Sequence, residues 1–273
     1  MMDVRLLPSR LRPGIGQMPA RENRRAWLPQ QTRFCPVVED VNKLGLLVYP
    51  PLKANEALRA RHTDHGALVL TLFVTRGDGE TVPAVEATFA PGEQGGIESA
   101  EITCSRRGGF SKARARDALA ALVADVNSPT GSFGLRGAYR FLTPPGVDTV
   151  FTAVFNELPR PIVPALTTRV STDLAVEDTV FWFALRPGAV LSAVDGGPIG
   201  QVFFVPREEV WLVDASPAEE QRFAEVQREY WAERATKEKT TNYGATFTYH
   251  YRDHQRARRD GAGHALGPLG DAD

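Results

Sequence analysis

Residues 67–89, ALVLTLFVTRGDGETVPAVEATF, decide the fold class. Two apolar, β-branched runs, Ala67–Val74 and Val82–Phe89, flank Gly77-Asp78-Gly79, where both glycines tolerate the positive φ of a tight turn. The spacing predicts a β-hairpin. Working outward, the same short apolar bursts bounded by Gly, Pro or Asp recur upstream at Phe34–Val38 and Gly45–Tyr49. Pro50-Pro51 ends the second of these, because neither proline can donate to a ladder. Downstream they recur at Gly137–Leu142, Thr149–Asn156, Ala165–Ser171, Thr179–Leu185, Ile199–Val205 and Val210–Val213. Around Trp182 the apolar sequence is nearly continuous, the pattern of a strand covered on both faces.

Two stretches change period. In 111–126, Leu119, Leu122, Val123 and Val126 fall at i, i+3, i+4 and i+7, with Ser111 able to cap and Asn127-Ser128-Pro129 able to stop a helix. In 217–238, Ser216-Pro217-Ala218-Glu219 has the capping-box spacing with proline at the first position. The expected fold is mainly β, a sandwich or jelly-roll-like single domain over 27–250 with one inserted helix and one C-terminal helix. Residues 1–26 read as a basic, partly ordered arm, and 251–273, rich in Arg, Asp, Gly and Ala without period, as a disordered tail.

Composition narrows the function classes. The 273 residues are 42% hydrophobic and 24% charged, ordinary for a globular chain, and 32 Lys+Arg against 33 Asp+Glu leave a net charge of −1. No basic field exists to drive nucleic-acid or anionic-membrane binding, so neither partner is expected. No stretch approaches the roughly 18 apolar residues of a transmembrane helix, and no apolar core of a signal peptide is seen. Two isolated cysteines, Cys35 and Cys104, with no C-x-x-C pair, fit a reducing compartment, and a cytoplasmic location is expected. Cys35, within an apolar burst, reads as a buried structural thiol.

The densest polar cluster is Arg61-His62-Thr63-Asp64-His65-Gly66. If it is extended, His62 and Asp64 share a face, and an imidazole beside a carboxylate is a general-base unit. His62, Asp64 and His65 are therefore the candidate catalytic residues. His62-x-Asp64 also matches half of a two-His-one-carboxylate iron site, whose third ligand would have to be His250, His254 or His264. Farther on, Arg169, Ser171 and Asp173 alternate onto one face, an anion seat with an acidic neighbour. Arg169, Asp173, Arg140 and Trp182 are the candidate substrate-binding residues. Gly-x-Gly-x-x-Gly, Walker A and Gly-x-Ser-x-Gly motifs are all lacking, and no metal or organic cofactor is expected.

Arg25-Ala26-Trp27, Cys35, Asn42 and Gly45 resemble the opening of an uncharacterised bacterial family of unknown function. The resemblance continues at His62-x-x-His65-Gly66, Thr143-Pro144-Pro145-Gly146, Thr172-Asp173, Phe181-Trp182, Arg186-Pro187-Gly188 and Gly197-Pro198-Ile199. This chain departs from it at Val41, Leu46 and Leu174, and the stretch 111–126 is an addition. The Arg- and Ala-rich composition is similar to that of natural-product pathway proteins, among them the aziridine-forming cyclases of azinomycin-type pathways.

Together these readings favour an acid/base enzyme acting on a small amine- or anion-bearing metabolite. In its concrete form an amine closes a ring as an anion such as sulfate departs. The alternatives are a non-haem Fe(II) jelly-roll oxygenase, and a non-catalytic subunit of a biosynthetic complex that docks a protein partner through Phe223, Val226, Tyr230 and Trp231.

Overall fold

The hairpin of residues 67–89 is present and is extended on both sides. The computed structural model describes residues 3–23, 28–157, 164–174, 177–194, 196–210, 212–240 and 246–259. The chain divides into two compact units, Met1–Glu208 and Glu209–Asp273. The first is mainly β. Its strands begin with β1 (Arg5–Pro8), β2 (Gly45–Val48), β3 (Glu56–His62), β4 (Leu68–Thr75), β5 (Thr81–Phe89), β6 (Glu101–Cys104) and β7 (Val123–Ala124). They continue with β8 (Ser132–Arg136), β9 (Tyr139–Leu142), β10 (Val147–Thr152), β11 (Thr168–Val170), β12 (Val180–Ala184), β13 (Val190–Val194) and β14 (Gly200–Pro206). Helices α1 (Gln30–Arg33) and α2 (Pro36–Lys43) precede β2, and α3 (Lys112–Ala120) joins β6 to β7.

These strands form antiparallel sheets. The largest has the order β13-β3-β4-β5-β6, which puts β4 at its centre. Leu68, Val69, Leu70, Thr71 and Leu72 are accordingly buried on both faces. A four-stranded sheet runs β11-β10-β14-β2, a three-stranded one β12-β8-β7, and β1 pairs with β9. One hydrophobic cluster draws on all the larger sheets, with Leu58, Leu70 and Val85 meeting Phe133, Phe181 and Phe183 and also Val48, Phe151 and Val202. Phe133 stacks on Phe183 at 5.6 Å, and Phe151 meets Phe181 edge-on at 5.9 Å.

Several expectations are corrected. Phe34–Val38 is not a strand: Pro36 takes the first position of α2, where its fixed φ and missing N–H cost nothing, and Cys35 is the half-buried residue before it. The helix of 111–126 stops at Ala120, and Val123 and Ala124 pair instead with Leu135 and Gly134. Leu119, Leu122, Val123 and Val126 are nevertheless all buried, on the helix, the turn after it, β7 and an isolated bridge to Gly95 in turn. Around Trp182 the strand alternates, with Phe181 and Phe183 buried and Trp182 only half-buried, since β12 is an edge strand of its sheet.

The basic arm is part of the fold. Leu6 and Leu7 of β1 register with Phe141 and Arg140, Ser9 donates its N–H to the Ala138 carbonyl at 2.8 Å, and Arg12 is buried.

The second unit carries α4 (Pro217–Thr236), β15 (Lys239–Thr240), β16 (Thr246–Phe247) and α5 (His250–Arg259). The capping box forms: Ser216 Oγ accepts from the Glu219 N–H at 3.3 Å, and the Glu219 carboxylate accepts from the Ser216 N–H at 2.7 Å. The C-terminal helix lies in this unit, and α5 occupies the start of the stretch expected to be a disordered tail. Residues 260–273 lie outside the described residues, as does Trp27 of the motif at 25–27. Among the described residues no helix is long and apolar enough to cross a membrane.

Candidate functional site

The cluster at 61–66 is the turn of the β3–β4 hairpin. Thr63 donates its N–H to the Ala67 carbonyl at 2.8 Å, Gly66 donates to Thr63 at 3.0 Å, and Gly66 has the positive φ of 84° that closes such a turn. The turn separates the three candidate catalytic residues. Asp64 and His65 are exposed, and Asp64 sits over Gly188. His62 is buried, with Nδ1 2.8 Å from the Leu185 carbonyl and its ring against Gly131. A carbonyl can only accept, so Nδ1 is the donor in this contact. Nε2 is buried and without a hydrogen-bond partner, so His62 and Asp64 do not form the expected pair. Among the described residues no group of three or more His, Cys, Asp or Glu side chains is placed to hold a metal ion. His264 and the side chain of His254 lie outside the described residues, and buried His250 meets the Tyr230 ring at a tilt, with centroids 4.6 Å apart, within the second unit.

The Arg169–Asp173 face is an ion network. Arg169 Nε donates to Asp148 Oδ2 at 2.7 Å, and Arg207 donates to Asp148 Oδ1 at 2.6 Å and also to Asp173 Oδ1. The Gly146 N–H donates to the other Asp173 oxygen at 3.0 Å. Beneath it, the hydroxyls of Thr143, Thr149 and Thr172 form a buried chain that ends on the Val147 carbonyl. The Arg207 hydrogen bond holds the Asp148 carboxyl at about 2 against the burial that would raise it. Arg207, with the Gly146 N–H, likewise holds the Asp173 carboxyl low, and the two carboxylates raise the Arg207 guanidinium above its ordinary value. Arg169 and Asp173 are therefore already committed to protein partners. They tie β10, β11 and the residue after β14 to the Thr143–Gly146 turn. Trp182 pairs in register with Gly134 and accepts at its carbonyl from the Ala165 N–H.

Arg140 leads to a different place. It lines a cleft of about 520 Å³ together with Arg10, Arg136, Glu98, Asp125, Glu177 and Asp178. The walls come from the end of α3, β7, the outer face of β12 at Val180, and the 3₁₀ turn Ile97–Ser99. Both inner arginines are anchored by backbone. Arg136 Nε donates to the carbonyls of Ala120 and Val123 at 3.2 and 3.3 Å, satisfying the exposed end of α3, and Arg140 Nε donates to the Pro8 carbonyl at 3.1 Å. Asp178 stands between them with its side chain only 5% exposed. Its Oδ2 accepts from Arg136 Nη1 at 3.1 Å, whereas its Oδ1 lies 4.0 Å from Arg140 Nε and has no hydrogen bond. Asp125 enters the lining from a positive φ of 42°, a conformation that a short polar side chain tolerates.

The structure thus brings one of the seven sequence-chosen residues, Arg140, into this cleft. Asp178, Arg136 and Arg10 were missed. Their only sequence trace is a pair of charges, Glu177-Asp178, ahead of an apolar strand, and single arginines beside strands. On α4, Phe223, Val226 and Trp231 stay exposed, while Tyr230 is taken up by His250.

Fold and cleft define a class: a mainly-β protein with a polar cleft lined by arginines and carboxylates. No protein-family model, no curated protein and no solved structure matches the chain, so the cleft is read from its own geometry.

Proposed function

We propose that the protein is an enzyme acting on a small anion-bearing metabolite in the Arg140 cleft, with a cleft carboxylate as proton acceptor. One observation carries this reading. Arg136 and Arg140 are oriented by backbone carbonyls through Nε, and Arg136 gives Nη1 to Asp178, so the terminal nitrogens of the oriented Arg140 remain for an oxyanion. Preorganised cations of this kind stabilise charge that develops on a departing group. The ring-closing expectation changes in both halves here: the leaving anion moves from Arg169 with Arg140 to Arg140 without Arg169, and the base from the buried His62 to a carboxylate of the cleft. With a 2-aminoethyl sulfate skeleton, the nitrogen forms a C–N bond as the C–O bond breaks. Sulfate leaves with the electron pair, and the amine proton passes to the carboxylate.

Calorimetric titration with 2-aminoethyl sulfate, 2-aminoethyl phosphate and β-alanine tests the site, with sulfate release as the turnover readout. Binding of at least one, weakened roughly ten- to hundredfold in Arg140→Gln, is expected from the loss of a charged hydrogen bond. No binding by any of the three, or affinities unchanged in Arg140→Gln, overturns the proposal.

A further inference from the structure

The arginines of the cleft leave open whether its ligand is an anion alone. Asp178 answers this, on the reading that the cleft is the site. Asp178 lines the cleft, its carboxylate is nineteen-twentieths buried, one oxygen is bonded to Arg136, and the other is buried with no hydrogen bond. A buried, unbonded carboxylate oxygen is costly to leave unmade and is strongly satisfied by a charged N–H donor. Arg140 does not supply that donor. Its Nε is 4.0 Å away and is bonded to Pro8.

Charge gives a second, independent argument. The lining carries Arg10, Arg136 and Arg140 against Glu98, Asp125, Glu177 and Asp178, one negative charge in excess. A ligand that is only an anion would add to that excess. One whose single negative charge is matched by an ammonium group would not. We infer that the ligand is a zwitterion, with its ammonium donating to Asp178 Oδ1 and its oxyanion at Arg140 and Arg10. The 4.0 Å between Oδ1 and the Arg140 guanidinium sets the two ends close together, so the skeleton between them is short.

The test pairs each zwitterion with its counterpart lacking the amine: 2-aminoethyl sulfate with ethyl sulfate, 2-aminoethyl phosphate with ethyl phosphate, and β-alanine with propionate. For the oxyanion that binds, the amine is expected to tighten binding tenfold or more in the wild-type protein. Asp178→Asn, which keeps an oxygen for Arg136, is expected to erase that gap while leaving the amine-free compound at least as tightly bound. Raising the pH through the amine's own pKa, about 10 for a simple alkylamine, removes the gap in the wild type. Equal binding of the two members of a pair overturns the zwitterion inference while the cleft stands. So does a gap that survives in Asp178→Asn. Binding by neither member overturns the cleft reading and this inference together. If Asp178→Asn does not fold, the wild-type comparison and its pH dependence still decide.

Discussion

Arg12 and Glu56, 44 residues apart in the chain, meet as a buried ion pair with Nη2 2.9 Å from Oε2 and side chains 10% and 3% exposed. The guanidinium also donates to the Pro51 carbonyl at 2.8 Å, and the Glu56 carboxylate accepts from the Lys53 N–H at 3.0 Å. This pair pins the N-terminal segment beside the start of β3. Removing one partner leaves the other charge buried and uncompensated, at a cost of about 3–5 kcal/mol. Arg12→Ala is expected to lower stability by that order in urea unfolding. Replacing both residues with Met and Leu is expected to recover much of it. A near-neutral Arg12→Ala would return the segment to the status of a solvated arm.

Acid sensitivity follows from the Asp148–Arg207 contact. The folded-state carboxyl sits at about 2, below its ordinary 3.8, because Arg207 hydrogen-bonds the charged form. Its contribution to stability is fully present above 3.8 and is lost as pH falls from there through about 2. Arg207→Ala removes the main cause of the lowering, so acid unfolding followed by circular dichroism should begin at a higher pH. An unchanged acid midpoint would mean that the network does not stabilise the fold.

His62 is expected to matter for stability and not for ligand binding. His62→Ala removes the bond to the Leu185 carbonyl and some packing, about 1–3 kcal/mol, with cleft affinities unchanged. Gly131→Ala is expected to be at least as damaging. Gly131 has a φ of 82°, and an added Cβ would lie 2.5 Å from the Leu185 oxygen and 2.6 Å from His62 Nδ1. Thermal unfolding and cleft titration on the same samples separate the two roles. Loss of turnover in a fully stable His62→Ala protein would restore the imidazole as the catalytic base.

Asn127 is fully buried at a φ of 60°. Its side chain donates to the Glu93 carbonyl at 2.7 Å and accepts from the Gly131 N–H at 2.6 Å. Asn127→Ala leaves those groups unsatisfied in a left-handed backbone, at about 2–4 kcal/mol. Asn127→Gly, which lacks the bonds but accepts the φ, is expected to cost less. The difference between the two variants in denaturant midpoint measures the backbone share, and equal midpoints would assign the whole effect to the side chain.

The local chemistry of this protein was legible in its sequence. Period-two and continuous apolar runs, Gly79 at the β4–β5 turn, and Ser216 with Glu219 at α4 act over a few residues, so a single stretch contains all the partners that matter. The N-terminal half of the inserted helix was equally plain. Its C-terminal half was not, because Val123, in β7, and Val126, in an isolated bridge to Gly95, are buried at the same positions a helix would have buried. Only tertiary structure decided that Arg5–Pro8 is a strand, since its pairing partner lies at Tyr139–Leu142. It likewise decided the cleft, where Arg10, Glu98, Asp125, Arg136, Arg140 and Asp178 come from separate elements and share no spacing. His62 and Asp64 show the converse. Two residues apart, they look like a catalytic pair, yet a hairpin turn sends one to the core and the other to solvent. Neighbours in sequence need not share an environment, because side-chain direction is set by backbone φ and ψ, and environment by which distant strands pair.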